Sequence, residues 1–297
     1  LLPFCWNYYV ETDTISVAER FIEEARENGK KILIWVTGDY YFPIPQFDNI
    51  IGFYTSPYKS MQNVKTNALP VIITDPLLLI GRGSIEIQQY YSTPSIGFCG
   101  QSDPNLMVSS IKFIDLLWQE IKYFLHLSRY YSGPIVPPTH LRKKVLDILE
   151  KTQNITTKFI RRNQYQGGAP KNKEEFQIIR NEFYQNINGT NYTVCIRGTG
   201  NFSARFYETL ALGRIPIFIN TDCLLPFKDI IDWGKHVVFI EQNEISNINL
   251  KILEFHSHLS KDSFDNIQKR NRLLWEEYFS FPGFIKQLAY SLKQELN

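Results

Sequence analysis

What this chain lacks narrows it first. No apolar run approaches the roughly 18 uninterrupted residues that a membrane-spanning helix needs, so no integral membrane segment is expected. Neither sign of charge dominates: 32 Lys and Arg against 30 Asp and Glu leave +2, which gives no electrostatic case for nucleic acid or an anionic bilayer. Cysteine is sparse. Cys5, Cys99, Cys195 and Cys223 have no CxxC spacing and lie mostly in apolar stretches, so they read as core thiols rather than disulfides or metal ligands. Histidine is absent from the front of the chain, the first being His126. His256 and His258 share a helix but lie too close in sequence to share a face; both read as surface residues, and no metal site is implied. There is no GxSxG elbow, no GxxxxGK-S/T loop and no HExxH pair, so three common catalytic patterns have no residues to build on. Four Asn-x-Ser/Thr sequons begin at Asn154, Asn188, Asn191 and Asn201, which an asparagine-rich chain produces by chance.

What is present suits a folded α/β protein. With 43% hydrophobic and 14% aromatic residues over 297 positions, the chain can bury one large core or two ordinary ones. "TISVAERFIEEARENG" spaces its apolar residues as a helix does and ends on Gly29. "KKILIWVTG", "NIIGFYTS" and "ALPVIIT" read as strands, with an earlier one ahead of Glu11. Periodicity then fails in "LLLIGRGSIEIQQYYSTPS", which places a domain boundary near Thr93. A second series follows: strand "PSIGFCG", helices near 106–127 and 139–151, strand "ITTKFIRR", helix 173–187, a unit at 192–220 and strand "KHVVFIE". Strands alternating with helices predict parallel, doubly wound sheets. The final stretch carries Pro282 and Gly283, where a bend back onto the first domain is expected.

The unit "TVCIRGTGNFSARFYETLALGRIPIFINTD" concentrates the chemistry. Gly198 and Gly200 allow a tight turn and close approach to a ligand. Asn201 or Ser203 can cap the helix that follows, whose free N–H groups favour an anion. Arg205 can fork onto phosphate oxygens, Glu208 lies on the same face about one turn deeper and can accept both hydroxyls of a ribose, and Arg197 adds a second guanidinium. Each residue alone is ordinary, but their convergence at the carboxyl end of a parallel strand is where open α/β sheets bind ligands. A rival is the dinucleotide fingerprint, nearly matched by Gly198, Gly200 and Ser203, with Asp222 near the expected spacing of about 20 residues. Against that nicotinamide reading, Arg197 replaces an apolar strand residue and Ser203 replaces the third glycine.

From Cys195 to Trp233 the chain resembles the exostosin-like glycosyltransferases of glycosyltransferase family 47. The shared pattern falls on Arg197, Gly198, Arg205, Tyr207, Glu208, Leu210, Gly213, Ile215, Pro216, Ile217, Asp222, Pro226, Phe227, Asp232 and Trp233. "SIGFCGQ", "FIRRNQYQGG" and "LWEEYFSFPGF" look like more distant support from a compact microbial or viral branch. The resemblance implies a GT-B architecture, two Rossmann-like domains facing across a cleft. The divisions expected are 1–93 on the acceptor side, 94–275 holding the nucleotide sugar, and a helix at 276–297 packing back on the first domain. It also implies an inverting transferase that moves a sugar from a UDP-sugar to a hydroxyl of an oligosaccharide or glycoconjugate, without a metal or other cofactor. No Asp-x-Asp occurs, in keeping with the metal-free reading, and arginines with a helix N-terminus would then neutralise the diphosphate. Two alternatives stand beside it: a non-catalytic nucleotide-sugar or glycan-binding protein, and the nicotinamide oxidoreductase. The expected location is the cytoplasm, at the membrane or free of it; because the chain begins at Leu1, the Golgi lumen is the alternative if an upstream anchor has been removed.

Donor contacts are expected from Gly100 and Gln101, from one of Arg161 and Arg162 with Arg162 preferred, and from Arg197, Gly198, Asn201, Ser203, Arg205 and Glu208. Inversion needs a base from the opposite domain. With no histidine there, Asp39 is the first choice, since it follows the "KKILIWVTG" strand and Gly38 turns the chain toward the cleft. Asp75 ranks second, and Glu11 and Asp13, after the presumed first strand, rank third.

Overall fold

Two parallel sheets organise the chain in the computed structural model, which describes residues 1–296 apart from 63–64, 103–105, 165–167, 169 and 171. Tyr165, Gln166 and Gly167 of "FIRRNQYQGG" therefore lie outside the described residues. Helices α1 (Trp6–Glu11) and α2 (Ile15–Glu27) lead into β1 (Ile32–Val36), β2 (Ile50–Tyr54) and β3 (Lys65–Ala68), which pair in parallel in that order. The run "IIGFY" of β2 is buried throughout, as a central parallel strand should be. α1 replaces the strand expected ahead of Glu11. Its buried Trp6 and Tyr9 sit three apart, a helical spacing that short length hid. The strand read at "ALPVIIT" is likewise displaced. β3 ends at Ala68, because Pro70 has no N–H to give to a ladder.

After α3 (Pro76–Leu79) come β4 (Ser95–Gln101), α4 (Leu106–Phe124), α5 (Pro138–Glu150), β5 (Thr156–Arg162), α6 (Lys173–Asn188) and β6 (Tyr192–Cys195). Then follow α7 (Ala204–Ala211), β7 (Ile215–Asn220), β8 (Val238–Glu241), α8 (Ile248–Ser257), α9 (Lys261–Leu274) and α10 (Phe281–Leu296). The second sheet is parallel in the order β5-β4-β6-β7-β8. Its core joins Ile96 and Phe98 of β4, Tyr192 and Val194 of β6, and Val145 and Leu149 of α5. His256 belongs to this interior and not to the surface. It is 2% exposed and bonds the Tyr192 hydroxyl at 2.8 Å and the Tyr91 carbonyl at 2.7 Å. A buried tyrosine hydroxyl needs a partner, and His256 supplies it, whereas His258 is exposed.

Strand order reverses between β4 and β6, and there the two strands part early. β4 pairs with β5 from Ser95 to Gln101, but with β6 only at Ile96 and Gly97. The opening V between them is the topological switch point, whose carboxyl-end crevice is where such sheets take ligands.

The two cores exchange pieces. Tyr131 joins the first-domain core, with Tyr123 and Tyr130 packed against it, and Tyr41 and Tyr131 form an antiparallel bridge. In the other direction Val71 and Ile73 pack on the cluster built from α7 and Phe279, and Leu77 packs with Tyr184, Ile187 and Leu212. Residues on both sides of the compositional break at Thr93 thus pack into the other core. A third tie is the strap 56–60. Ser56 Oγ accepts from Asn201 N at 2.6 Å, Pro57 O accepts from Asn201 Nδ2 at 3.0 Å, and Lys59 N donates to Asp222 O at 2.8 Å.

The last helices are joined by a π-helical turn, Trp275–Phe279, and the chain straightens at Ser280. Pro282 and Gly283 do not make this bend. They fall in the first turn of α10, where proline costs no hydrogen bond. Phe284, Leu288 and Leu292 of α10 then share a cavity of about 470 Å³ with Ile51, Phe53 and Thr66 of the first sheet.

Candidate functional site

The V between β4 and β6 is held at a fixed width by two arginines, one from each layer of helices. Arg205, in the first turn of α7, donates from Nη2 to Cys99 O at 2.6 Å and from Nη1 to Val194 O at 3.3 Å. Arg142 of α5 donates to Gln101 O at 3.1 Å and to Arg197 O at 2.8 Å. The carbonyls that lost their strand partners are satisfied by side chains instead. Arg205 also lies over the Phe98 ring at 4.2 Å, and burial pulls its guanidinium below the usual arginine range.

Gly100 is explained by this arrangement. A β-carbon there would stand 2.7 Å from Arg205 Nη2, so the glycine makes room for the pin. Gln101 follows, with Nε2 donating to Asn163 O at 3.1 Å. Arg197 is 6% exposed and donates to the carbonyls of Val136, Gly198 and Thr199 at 3.2–3.3 Å. No carboxylate faces it in these bonds, and burial pulls it down against the pull of Tyr58 and Tyr131. Arg197, Gly198, Gln101 and Arg142 line a cavity of about 360 Å³, closed on the far side by Tyr40 and Tyr130. This is the cleft between the two sheets.

Glu208 lies behind that cleft wall, between α6 and α7. It is 5% exposed, and its Oε1 accepts from Arg180 Nη2 and Tyr184 Oη, each at 3.3 Å. Burial raises the Glu208 carboxyl above its ordinary value, against Arg180, Arg205 and Tyr184. Arg205 and Glu208, three apart on α7, reach different partners: Arg205 the carbonyls of Cys99 and Val194 where β4 and β6 diverge, Glu208 the Arg180 and Tyr184 side chains of α6.

Other expected contacts fall elsewhere. Asn201 is fully buried and its amide is consumed: Nδ2 donates to Pro57 O and Oδ1 accepts from Thr221 Oγ1 at 2.8 Å. It ties the domains together. Ser203 is the residue before α7, but its side chain makes no capping bond. Arg162 pairs with Glu182. Arg161 pairs with Asp147 and Glu150 at 2.8 and 2.7 Å, which holds β5 to α5. Asp222, the acid of the dinucleotide reading, accepts from Ser60 N at 3.1 Å and from Ser60 Oγ. Its carboxylate is thus committed to the strap.

On the facing wall, Asp39 sits against the signature turn: a β-carbon on Gly200 would come within 2.8 Å of Asp39 Oδ1. Asp39 is exposed beside Tyr40, which stacks on Tyr130 at 4.9 Å. The other carboxylates are occupied or distant in kind. Asp75 caps α3 and pairs with Arg272 at 2.6 Å; burial pushes it up, but these partners outweigh it and hold it low. Asp13 pairs with Arg129 at 2.6 Å, and Glu11 closes helix α1.

Arg142, Arg180 and Tyr184 were not visible as site residues in the sequence. They carry no motif and come from helices remote from the signature, although Arg180 and Tyr184, four apart, share one face of α6. The rest of the signature is a packing element. Trp233 stacks on Phe279 at 5.7 Å and Phe227 meets Tyr278 at 5.3 Å, seating the π-helical turn. Among the described residues no group of three His, Cys, Asp or Glu is arranged to hold a metal, and no helix is long and apolar enough to cross a membrane.

Part of the chain is similar to known proteins. Residues 136–255 match the exostosin GT47 domain. A probable glucuronosyltransferase of Oryza sativa subsp. japonica is 28% identical over 92 residues, 31% of this chain and 20% of its own. Human exostosin-2 is 25% identical over 116 residues, 39% of this chain and 15% of its own. The chain therefore spans a fifth or less of the length of these relatives. Among solved structures, S. aureus TarM bound to fondaparinux, alpha-GlcNAc-glycerol and UDP aligns with 77% of this chain and 39% of its own, at 12% identity and a TM-score of 0.38.

Proposed function

Since residues 136–255 match the exostosin GT47 domain, we propose that this chain is a glycosyltransferase that binds a UDP-sugar against its second sheet and transfers the sugar, with inversion and without a metal, to a hydroxyl of a glycan. The observation that carries the reading is the buried Arg197. Its guanidinium bonds to the carbonyls of Val136, Gly198 and Thr199 beside Gln101 at the β4–β6 switch point, with Tyr40 of the other domain lining the same cavity and Asp39 set against the neighbouring Gly200 turn. A buried cation in a low-dielectric wall favours an anion strongly.

In this mechanism Arg197, the Gly198 turn and the start of α7 stabilise the diphosphate as it leaves. Arg205 acts as the pin that keeps β4 and β6 apart, and Glu208 takes the ribose hydroxyls. Asp39 accepts the proton of the acceptor hydroxyl while that oxygen bonds to the anomeric carbon and the bond to the diphosphate breaks. The nicotinamide alternative loses support with the commitment of Asp222 to Ser60.

The test is calorimetry with UDP, GDP, CMP and NAD, followed by donor hydrolysis and transfer to a sugar panel. UDP should bind, and Glu208→Ala should weaken it by several-fold or more, since two unpaired hydroxyls cost about 1–3 kcal/mol. Binding of NAD with no response to UDP would overturn the reading, and UDP binding with neither hydrolysis nor transfer would favour a non-catalytic binding protein.

A further inference from the structure

α4 is amphipathic in reverse. Its inward positions are Leu116 and Gln119, which line the cleft, and Tyr123, which packs on the first-domain core. Most of its described apolar side chains face away from the protein: Ile111 is 65% exposed, Ile114 65%, Leu117 38%, Trp118 54%, Ile121 38% and Phe124 81%. At about 100° per residue these six fall on one arc of the helix, opposite Leu116 and Gln119. A helix at a protein surface ordinarily shows the opposite polarity.

The size of the face indicates what covers it. With Phe113 and Leu125 at its borders and Leu127 just beyond the helix, the exposed apolar area is on the order of 800 Å², taking roughly 150–250 Å² for a whole aromatic side chain and less for an aliphatic one. That exceeds the largest patch of an ordinary monomer, about 300–600 Å², and equals the roughly 800 Å² per partner of a stable interface. Charge argues against a bilayer. An interfacial helix flanks its apolar face with several cations, whereas Lys112 faces the cleft and Lys122, over the Trp118 ring at 5.6 Å, stands alone at the edge of the arc. A straight, uncharged face is complementary to itself, which is what a two-fold interface requires.

We propose that α4 packs against α4 of a second copy of this chain, with the cleft-lining side of each helix left free. The proposal does not depend on the glycosyltransferase reading. Sedimentation velocity across a low-to-mid micromolar range should give a dimer, and Leu117→Lys combined with Ile121→Lys should give a monomer that keeps the wild-type thermal response to UDP. A wild-type chain that stays monomeric throughout overturns the proposal, as does a double variant that folds and still dimerises. A monomer that floats with phosphatidylcholine–phosphatidylserine vesicles overturns it in favour of a lipid surface. If the double variant does not fold, the wild-type mass alone decides.

Discussion

Arg180→Gln tests the most specific piece of the site, the buried contact between α6 and α7. Glu208 is almost wholly enclosed while Arg180 reaches solvent, with side chains 7% and 31% exposed. Breaking a fully buried pair from one side costs about 3–5 kcal/mol, and the wet end of Arg180 reduces this to about 1–3 kcal/mol. The loss should depend on pH, and its sign follows from Glu208. Its folded carboxyl is already raised by burial, and removing Arg180 raises it further. A carboxyl raised on folding favours the folded state below its unfolded value, about 4.3, and loses that advantage as pH rises through the folded value. The deficit of the variant should therefore be small at pH 4, below the unfolded value, and full at pH 8. Thermal unfolding at the two pH values measures it. The expected fall at pH 8 is about 2–12 °C, using roughly 2–4 °C per kcal/mol for chains somewhat shorter than this one, and less than half as much at pH 4. Arg180→Gln with Glu208→Gln removes both charges and should recover most of the loss at pH 8. Equal losses at both pH values, or a double variant no more stable than the single, would refute the role of Arg180 in opposing the burial of the Glu208 carboxylate.

Three other outcomes follow from the geometry. Gly100→Val should lower both Tm and UDP affinity, because its β-carbon meets Arg205 Nη2; calorimetry that finds UDP affinity unchanged would separate the pin from the donor site. Asp39→Asn should keep UDP-sugar binding and lose transfer by about a hundredfold or more, and near-normal turnover would remove Asp39 from the mechanism. Asp222→Ala should release Ser60, making the 56–60 strap more sensitive to limited proteolysis without creating or removing affinity for UDP, whereas resistance equal to wild type would deny the strap its role.

The sequence made the second sheet legible because its strands are apolar runs closed by glycine or a charged turn, a pattern set by local chemistry. It misjudged Trp6–Glu11 and Ala68–Thr74 because a six-residue helix has less than two turns of periodicity to show, and because an apolar run behind Pro70 can pack without joining a ladder. At the site, the signature supplied Arg197, Arg205 and Glu208 by spacing. It could not say that Asn201 faces the strap and that Arg205 holds two strands apart, since those facts depend on Ser56 and Cys99, each about a hundred residues or more away. His256 failed for a related reason: its burial is decided by Tyr192 and Tyr91, and helix spacing alone carries no trace of either.

The bridge between Tyr41 and Tyr131 also has a bearing on synthesis. The amino-terminal core is incomplete until Tyr131 is available, so it cannot close when β3, the last strand of its sheet, leaves the ribosome. At about 5–20 residues per second, the sixty or so residues from Ala68 to Tyr131 delay its completion by several seconds, during which Tyr41 lacks its bridge partner. An expression product ending at Thr93 would remain in that waiting state, exposing the surface of Tyr41 and Tyr54 that Tyr131 and its neighbours normally seal.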